Sequence, residues 1–233
     1  VPEMVEKYRV NRIIYAIPTT SAKNRKEILS ICKDTGCKVQ VVPGIYQIVN
    51  GKVSVNQLRN VEIEDLLGRD QVIVDNAGIH DFIAGRVIMV TGGGGSIGSE
   101  LCRQIAAQGP RRLIIFDIYE NNAYAIEQEL KRHMPDLELV TLIGSVRNTS
   151  RVNAVLQKYK PEVIFHAAAH KHVPLMENSP NEAIKNNVFG TKNLLTSASE
   201  HGVERLVQLS TDKAVNPTSV MGCTKRICEM LIQ

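Results

Sequence analysis

The chain has no tryptophan and only ten Phe and Tyr among its 233 residues. Aromatic platforms of the kind that stack single-stranded nucleic acid are therefore scarce. A basic arm is missing as well. The 28 Lys and Arg against 24 Asp and Glu leave a net charge of +4, divided as 11 against 9 in residues 1–80 and 17 against 15 in residues 81–233. On both counts no nucleic-acid partner is expected. No stretch approaches the roughly 18 uninterrupted apolar residues of a membrane helix, and Val1 to Arg9 lack the charged, apolar and small-residue order of a signal peptide. The chain as it stands reads as soluble. Its five cysteines, Cys32, Cys37, Cys102, Cys223 and Cys228, are odd in number and include no C-x-x-C. No His follows them at finger spacing, so they read as buried or idle thiols in a reducing cytoplasm rather than as disulfides or zinc ligands.

What is present is 43% hydrophobic and 22% charged residues, enough for one large domain or two small ones with cores of their own. The chain opens on Val1 rather than Met and stops at Gln233 inside a helical pattern, which reads as a piece of a longer protein. The apolar run at 12–17 reads as a strand. A helix-period stretch follows Pro18 to Ser21 and ends at Gly36, and 38–42 reads as a second strand, giving a βαβ-like unit. An irregular segment and the phrase VEIEDLLGR at 61–69 come next. Asn76 to Gly85, with two glycines and little periodicity, reads as a linker. The boundary is placed near residue 80, between a small α/β lobe (1–80) and a second domain (81–233).

In the second domain, apolar runs at 86–91, 112–117, 138–143, 162–168 and 205–211 alternate with segments of helical period. Near-continuous Val, Ile and Leu runs are what a parallel sheet covered on both faces requires. The expected fold is a doubly wound α/β sheet with right-handed crossovers and ligands at the carboxyl ends of the strands.

Gly92, Gly95 and Gly98 stand at G-x-x-G-x-x-G spacing where the first of these runs gives way to a helix. Such a turn lets the backbone approach a pyrophosphate closely, and the N–H groups and dipole of the following helix stabilise its charge. Asp117 ends the second run 19 residues after Gly98, the distance at which a carboxylate meets the ribose hydroxyls of a dinucleotide. A bare Asp there repels the 2′-phosphate of NADP and favours NAD; capping the next helix is its alternative role. After the fourth run, Ala167, Ala168 and Ala169 leave room for ribose and pyrophosphate. His166, His170 and His172 straddle a strand end with no carboxylate or Cys at ligand spacing, so no metal is expected. His170 and His172 are read as orienting backbone or substrate.

Ser210, Thr211, Asp212 and Lys213 close the fifth run, and VMGCTKR at 220–226 opens a helix. Short-chain dehydrogenases end this strand with Ser or Thr and carry Tyr-x-x-x-Lys on the helix, where the two side chains share a face. Lys225 keeps its place here, but Met221 occupies the Tyr position, and a thioether cannot exchange a proton. Proton transfer falls to Asp212 and Lys213. A free Lys is neutral only about once in 10³ near pH 7, so Lys213 as a base needs its pKa lowered by about 3 units, or about 4 kcal/mol. Asp212 conversely needs its pKa raised to act as an acid. Strand neighbours point to opposite faces, so both can serve one site only if the chain leaves the strand there, and Pro217 is consistent with a loop.

Four phrases, VTGGGGSIGSEL (90–101), HAAAHKHVPLME (166–177), NNVFGT (186–191) and STDKAVNPTSVMGCTKR (210–226), resemble the CapD-like nucleotide-sugar dehydratases of bacterial polysaccharide biosynthesis, within the extended short-chain dehydrogenases. VEIEDLLGR is similar to the phrase preceding the catalytic domain of their long, membrane-anchored members. The resemblance implies a Rossmann NAD(P)-binding domain, truncated before the sugar-binding lobe and preceded by a small Rossmann-like lobe. The implied reaction is 4,6-dehydration of UDP-N-acetylglucosamine with NAD or NADP regenerated each turnover. By the same resemblance Lys213 abstracts the C5 proton, Asp212 protonates the departing C6 hydroxyl, Thr211 holds the C4 oxygen, Lys225 binds the nicotinamide ribose, and Met221 stands in for the phenol. Cofactor contacts are implied for Gly92, Gly95, Ser96, Ile97, Gly98, Asp117, Ser145, Val146, Ala167, Ala168, Ala169, Asn187 and Lys225, and substrate contacts for Lys171, His172 and Asn187. Ser145 departs from the Gly-Asp of many relatives, which puts the adenine contact in doubt. A homo-oligomer is implied, as is a parent protein anchored in the bacterial inner membrane upstream of Val1, with these domains on the cytoplasmic side. The fragment is expected to bind dinucleotide without turnover. A nucleotide-sugar 4-epimerase and a non-catalytic binding or assembly module are the competing readings.

Overall fold

A computed structural model describes residues 1–17, 20–42, 59–60 and 76–233, in two compact units, Val1–Val74 and Asp75–Gln233. VEIEDLLGR at 61–69 lies outside the described residues. The first unit contains α1 (Pro2–Tyr8), β1 (Arg12–Tyr15), α2 (Ala22–Asp34), β2 (Lys38–Val41) and β3 (Arg59–Asn60). Ser21 starts α2 by accepting the Asn24 N–H on its hydroxyl, satisfying one of the unpaired donors of the first turn. β1 and β2 pair in parallel, with Ile14 opposite Gln40, and β3 joins β2 antiparallel. Tyr15, Leu29 and Val41 form the small core beneath α2.

The second unit begins with α3 (Asn76–Ile83), where the sequence reads as a linker. The glycine at 78 hides a helical pattern. Ile79, Phe82 and Ile83 recur at i, i+3 and i+4 and pack into the core, and that burial outweighs the cost of one glycine, about 1 kcal/mol. The unit continues through β4 (Val87–Thr91), α4 (Ser96–Ala107), β5 (Arg112–Asp117), α5 (Glu120–His133), β6 (Leu139–Ile143), α6 (Thr149–Tyr159) and β7 (Val163–His166). Next come α7 (Val173–Asn178), α8 (Pro180–Ala183), one π-helical turn (Ile184–Phe189) and α9 (Gly190–Glu200). β8 (Arg205–Gln208), a 3-10 turn (Asp212–Ala214) and α10 (Val220–Ile232) complete it.

The five strands form one parallel sheet in the order β6-β5-β4-β7-β8. Side chains alternate across it: Ile88, Val90 and Ile115 enter one core, Val87, Met89 and Phe116 the other. Both faces are thus covered, as the apolar runs require. The order reverses between β4 and β7, so the loops leaving these two strands part and open a crevice at their carboxyl ends. Two runs give shorter strands than their apolar lengths, ending at His166 and Gln208. After the bond from Leu209 N to His166 O the chain leaves the sheet, so Thr211, Asp212 and Lys213 lie beyond the strand. Among the described residues no helix is long and apolar enough to cross a membrane.

Candidate functional site

The turn after β4 is built from backbone. Gly92 has φ +68°, and a Cβ there would lie 2.6 Å from Ala168 N, so the loops leaving β4 and β7 touch with no room for a side chain. At Gly98 a Cβ would lie 2.0 Å from Gly92 O, because α4 seats directly on the turn. Gly95 donates its N–H to Gly92 O at 3.0 Å and is the N-cap of α4. The result is a cradle of bare backbone ending at a helix amino terminus, which fits the pyrophosphate of a dinucleotide.

A cavity opens over this cradle, lined among others by Gly92, Gly95, Asp117, Ser145, Val146 and Ala167 to Ala169. Asp117 is 9% exposed. One of its carboxylate oxygens accepts the Gly94 N–H at 2.8 Å and the other the Tyr119 N–H at 2.9 Å. The carboxylate therefore locks the glycine turn to the entry of α5 while still facing the cavity, and the N-cap of α5 is Tyr119. The Ser145 hydroxyl accepts the Arg147 N–H at 3.2 Å.

A second cavity shares Ala167, Ala169 and His170 with the first and is also lined by Ile97, Lys171, Ser210, Thr211, Lys213, Met221 and Lys225. Lys171 reaches over to Ser96, Nζ donating to Oγ at 3.1 Å, at the amino terminus of α4. Met221 is buried in an apolar cluster with Met176 and Ala183. Lys225, 7% exposed, donates to Leu209 O at 2.5 Å. Burial pushes its pKa down, against the opposing pull of Cys228 and Glu229.

Three residues sit otherwise than the sequence reading expects. Asp212, with its side chain 86% exposed, does not line the second cavity. Its carboxyl lies below the ordinary range rather than above it, because Thr211 Oγ1 donates to it at 2.9 Å and Lys213 Nζ at 3.3 Å. In this arrangement it is a poor proton donor. Asn187 is 1% exposed and its amide is fully engaged: Oδ1 accepts His170 N–H at 2.8 Å, and Nδ2 donates to His170 O at 3.0 Å and Thr224 Oγ1 at 2.9 Å. It ties the cavity wall to α10. His172 is the exposed N-cap residue of α7 and lines neither cavity.

Residues 88–233 match the protein family described as "Polysaccharide biosynthesis protein". The chain belongs to this polysaccharide biosynthesis protein family. It is 50% identical over its whole length to the capsular polysaccharide biosynthesis protein CapD of Staphylococcus aureus, of which it covers 39%. To a UDP-N-acetylglucosamine 4,6-dehydratase (inverting) of Campylobacter jejuni it is 32% identical over 63% of the chain and 42% of that protein. Among solved structures, a UDP-glucose 4-epimerase of Stenotrophomonas maltophila with bound NAD and formylated UDP-arabinopyranose superposes with TM-score 0.58 and 25% identity, over 63% of this chain and 47% of that one. The fold is that of Rossmann-type nucleotide-sugar epimerases and dehydratases. The chain spans about two fifths of the length of the curated relatives quoted.

In this polysaccharide biosynthesis chain the sequence reading missed His166 as a structural centre. It is 2% exposed, with Nδ1 hydrogen-bonded to Thr91 Oγ1 at 2.6 Å and Nε2 to Thr191 Oγ1 at 3.0 Å. Burial, aided by the charge of Lys225, pushes its pKa down to about 3, so the ring is neutral. Thr224, on which Asn187 closes, was likewise unmarked. Such contacts join residues 25 to 75 positions apart, and no local pattern announces them. Among the described residues, no group of three or more His, Cys, Asp or Glu is placed to hold a metal ion.

Proposed function

We propose that the chain is the cofactor-binding and proton-transfer portion of a 4,6-dehydratase acting on UDP-N-acetylglucosamine. The observation that carries this reading is that Lys213, Lys225 and Met221 line one cavity adjoining the glycine cradle. Three amines, those of Lys171, Lys213 and Lys225, and no phenol face the place where a hexose attached to the nucleotide would lie.

A nicotinamide cofactor held at the glycine cradle would supply the redox chemistry, accepting a hydride from sugar C4 and giving it back at C6. Lys225, held by Leu209 O and already lowered in pKa, orients the nicotinamide ribose and favours loss of the C4 hydroxyl proton. Thr211 holds the C4 oxygen. Once C4 is a ketone, the Lys213 amine removes the acidified C5 proton, the C6–O bond breaks, and the hydroxyl leaves as water with a proton from Asp212. C5 then regains a proton, so the net change is loss of one water. For Asp212 to donate, it has to leave its bonds to Thr211 and Lys213, a rearrangement that substrate and the sugar-binding lobe would have to drive.

Asp117 beside the cradle supports NAD over NADP, since its charge opposes a 2′-phosphate. Residues 75–233 are proposed as the catalytic unit, and residues 1–74 carry no assigned ligand. The parent protein is proposed to be a homo-oligomer anchored in the bacterial inner membrane. Residues 1–233 by themselves are proposed to bind dinucleotide without turnover, since they span about two fifths of the length of the relatives quoted. The rival, a 4-epimerase, has the likeness to the Stenotrophomonas enzyme in its favour. The test is to incubate the full-length protein with UDP-N-acetylglucosamine: a 4-keto-6-deoxy sugar is expected, and a C4 epimer alone refutes the proposal.

A further inference from the structure

Gly222, the third residue of α10, is buried. A Cβ built on it would lie 2.5 Å from Lys213 O, 3.4 Å from Lys213 C and 3.2 Å from Ser219 Oγ. The nearest obstacle is backbone, so no side chain can swing away. The peptide it meets belongs to the 3-10 turn Asp212–Ala214, whose last residue, Ala214, is fully buried. Nothing in α10 itself asks for glycine. In helices alanine is favoured over glycine by up to about 1 kcal/mol, and Gly222, in the first turn, lies in the right-handed helical region with no positive φ to favour it. What glycine permits is contact between two backbones: the turn that carries Lys213 and the helix that carries Met221 and Lys225.

Resting on the dehydratase reading above, we infer that Gly222 is a positioning residue that sets how far Lys213 reaches into the shared cavity relative to Lys225. Any β-carbon at position 222 drives the Lys213 carbonyl from 2.5 Å to the 3.0–3.4 Å that real contacts allow, a displacement of about 0.5 to 0.9 Å. The Lys213 main chain moves, while Lys225, one turn further along α10 and bonded to Leu209 O, keeps its place. The glycine cradle, on α4 and the loop after β7, lies outside the disturbed contact. C5 proton removal should therefore suffer while cofactor binding does not.

The test uses Gly222→Ala in the full-length protein and in residues 1–233. Misplacing a reacting group by about 1 Å costs on the order of 10²-fold, so kcat is expected to fall roughly 10- to 100-fold, with KM changed less than about threefold. The primary isotope effect with sugar deuterated at C5 should rise, because the damaged step becomes rate-limiting. NAD affinity of residues 1–233, measured by calorimetry, should stay within about twofold. A general packing defect would lower cofactor affinity together with turnover and leave the isotope effect flat, and that outcome overturns the inference. A crystal structure of the 1–233 variant decides the geometry without activity: the Lys213 carbonyl retreats from α10 by about 0.5 Å or more, and an unchanged relation between the Lys213 and Lys225 backbones overturns the inference. Ala214→Gly loosens the same turn from its buried side and should reproduce the kinetic split more weakly, about three- to tenfold; no split in that variant counts against the inference if Gly222→Ala fails to fold. Cys223→Ala, on the exposed neighbour, should behave as wild type. If the wild-type full-length protein makes no dehydrated sugar, the dehydratase reading falls, while the crystallographic result still decides the positional claim.

Discussion

His166 couples the stability of the second unit to pH. The neutral ring sits between Thr91 and Thr191 with a pKa near 3, whereas the same side chain titrates near 6.5 in an unfolded chain. Between those values the unfolded state holds one proton more than the folded state, so stability falls as the pH falls, by about 1.4 kcal/mol per unit. From pH 7.5 to 5.0 the loss should be about 2 kcal/mol, roughly 30-fold in the folding equilibrium. Carboxylates held low by hydrogen bonds and ion pairs, such as Glu129 and Glu229, contribute stability that is lost only below their ordinary value of 4.5, so this window isolates the histidine. Urea unfolding of residues 1–233 at both pH values, for wild type and His166→Gln, measures the difference. The variant keeps a donor and an acceptor between the two threonines but cannot titrate. Wild type should lose about 2 kcal/mol more than the variant on acidification; equal losses would refute the placement of a neutral imidazole in the core.

Other substitutions separate the parts of the site. Lys213→Met in the full-length protein should reduce turnover by at least about 10³-fold while leaving NAD affinity unchanged, as read by kinetics and calorimetry. Gly98→Ala, which puts a Cβ 2.0 Å from Gly92 O, should weaken NAD binding at least about tenfold in the same titration, or about 1.4 kcal/mol. Asn187→Ala removes the side-chain partner of His170 N–H and O and the donor to Thr224 Oγ1, and should cost about 2 to 4 kcal/mol in urea unfolding, with NAD affinity falling as the Ala167–His170 wall loosens.

The parallel sheet, its glycine turn and the acid that ends β5 could be read from the chain because each rests on local necessity. Continuous Val, Ile and Leu runs fit only a sheet covered on both faces, and a backbone that approaches a phosphate demands glycine at fixed intervals. The helix Asn76–Ile83 escaped because one glycine and a polar start mask a pattern that only core burial validates. Asn187 was given a ligand contact by the family resemblance alone, and its bonds to His170 and Thr224, 17 and 37 residues away, leave no local mark in the sequence.

Sequence alone determined which chemistry is on hand: a thioether where a phenol stands in relatives, a lysine one turn beyond it, and an Asp-Lys pair after a strand. Covalent identity and spacing along one element suffice for that. Tertiary structure decided how those groups meet. It left Asp212 exposed and acidic, brought the Lys213 peptide against Gly222, buried Lys225 under Leu209 and sealed His166 between two threonines. Each of these depends on distances between elements far apart in the chain, and burial and charge act through space rather than along the backbone.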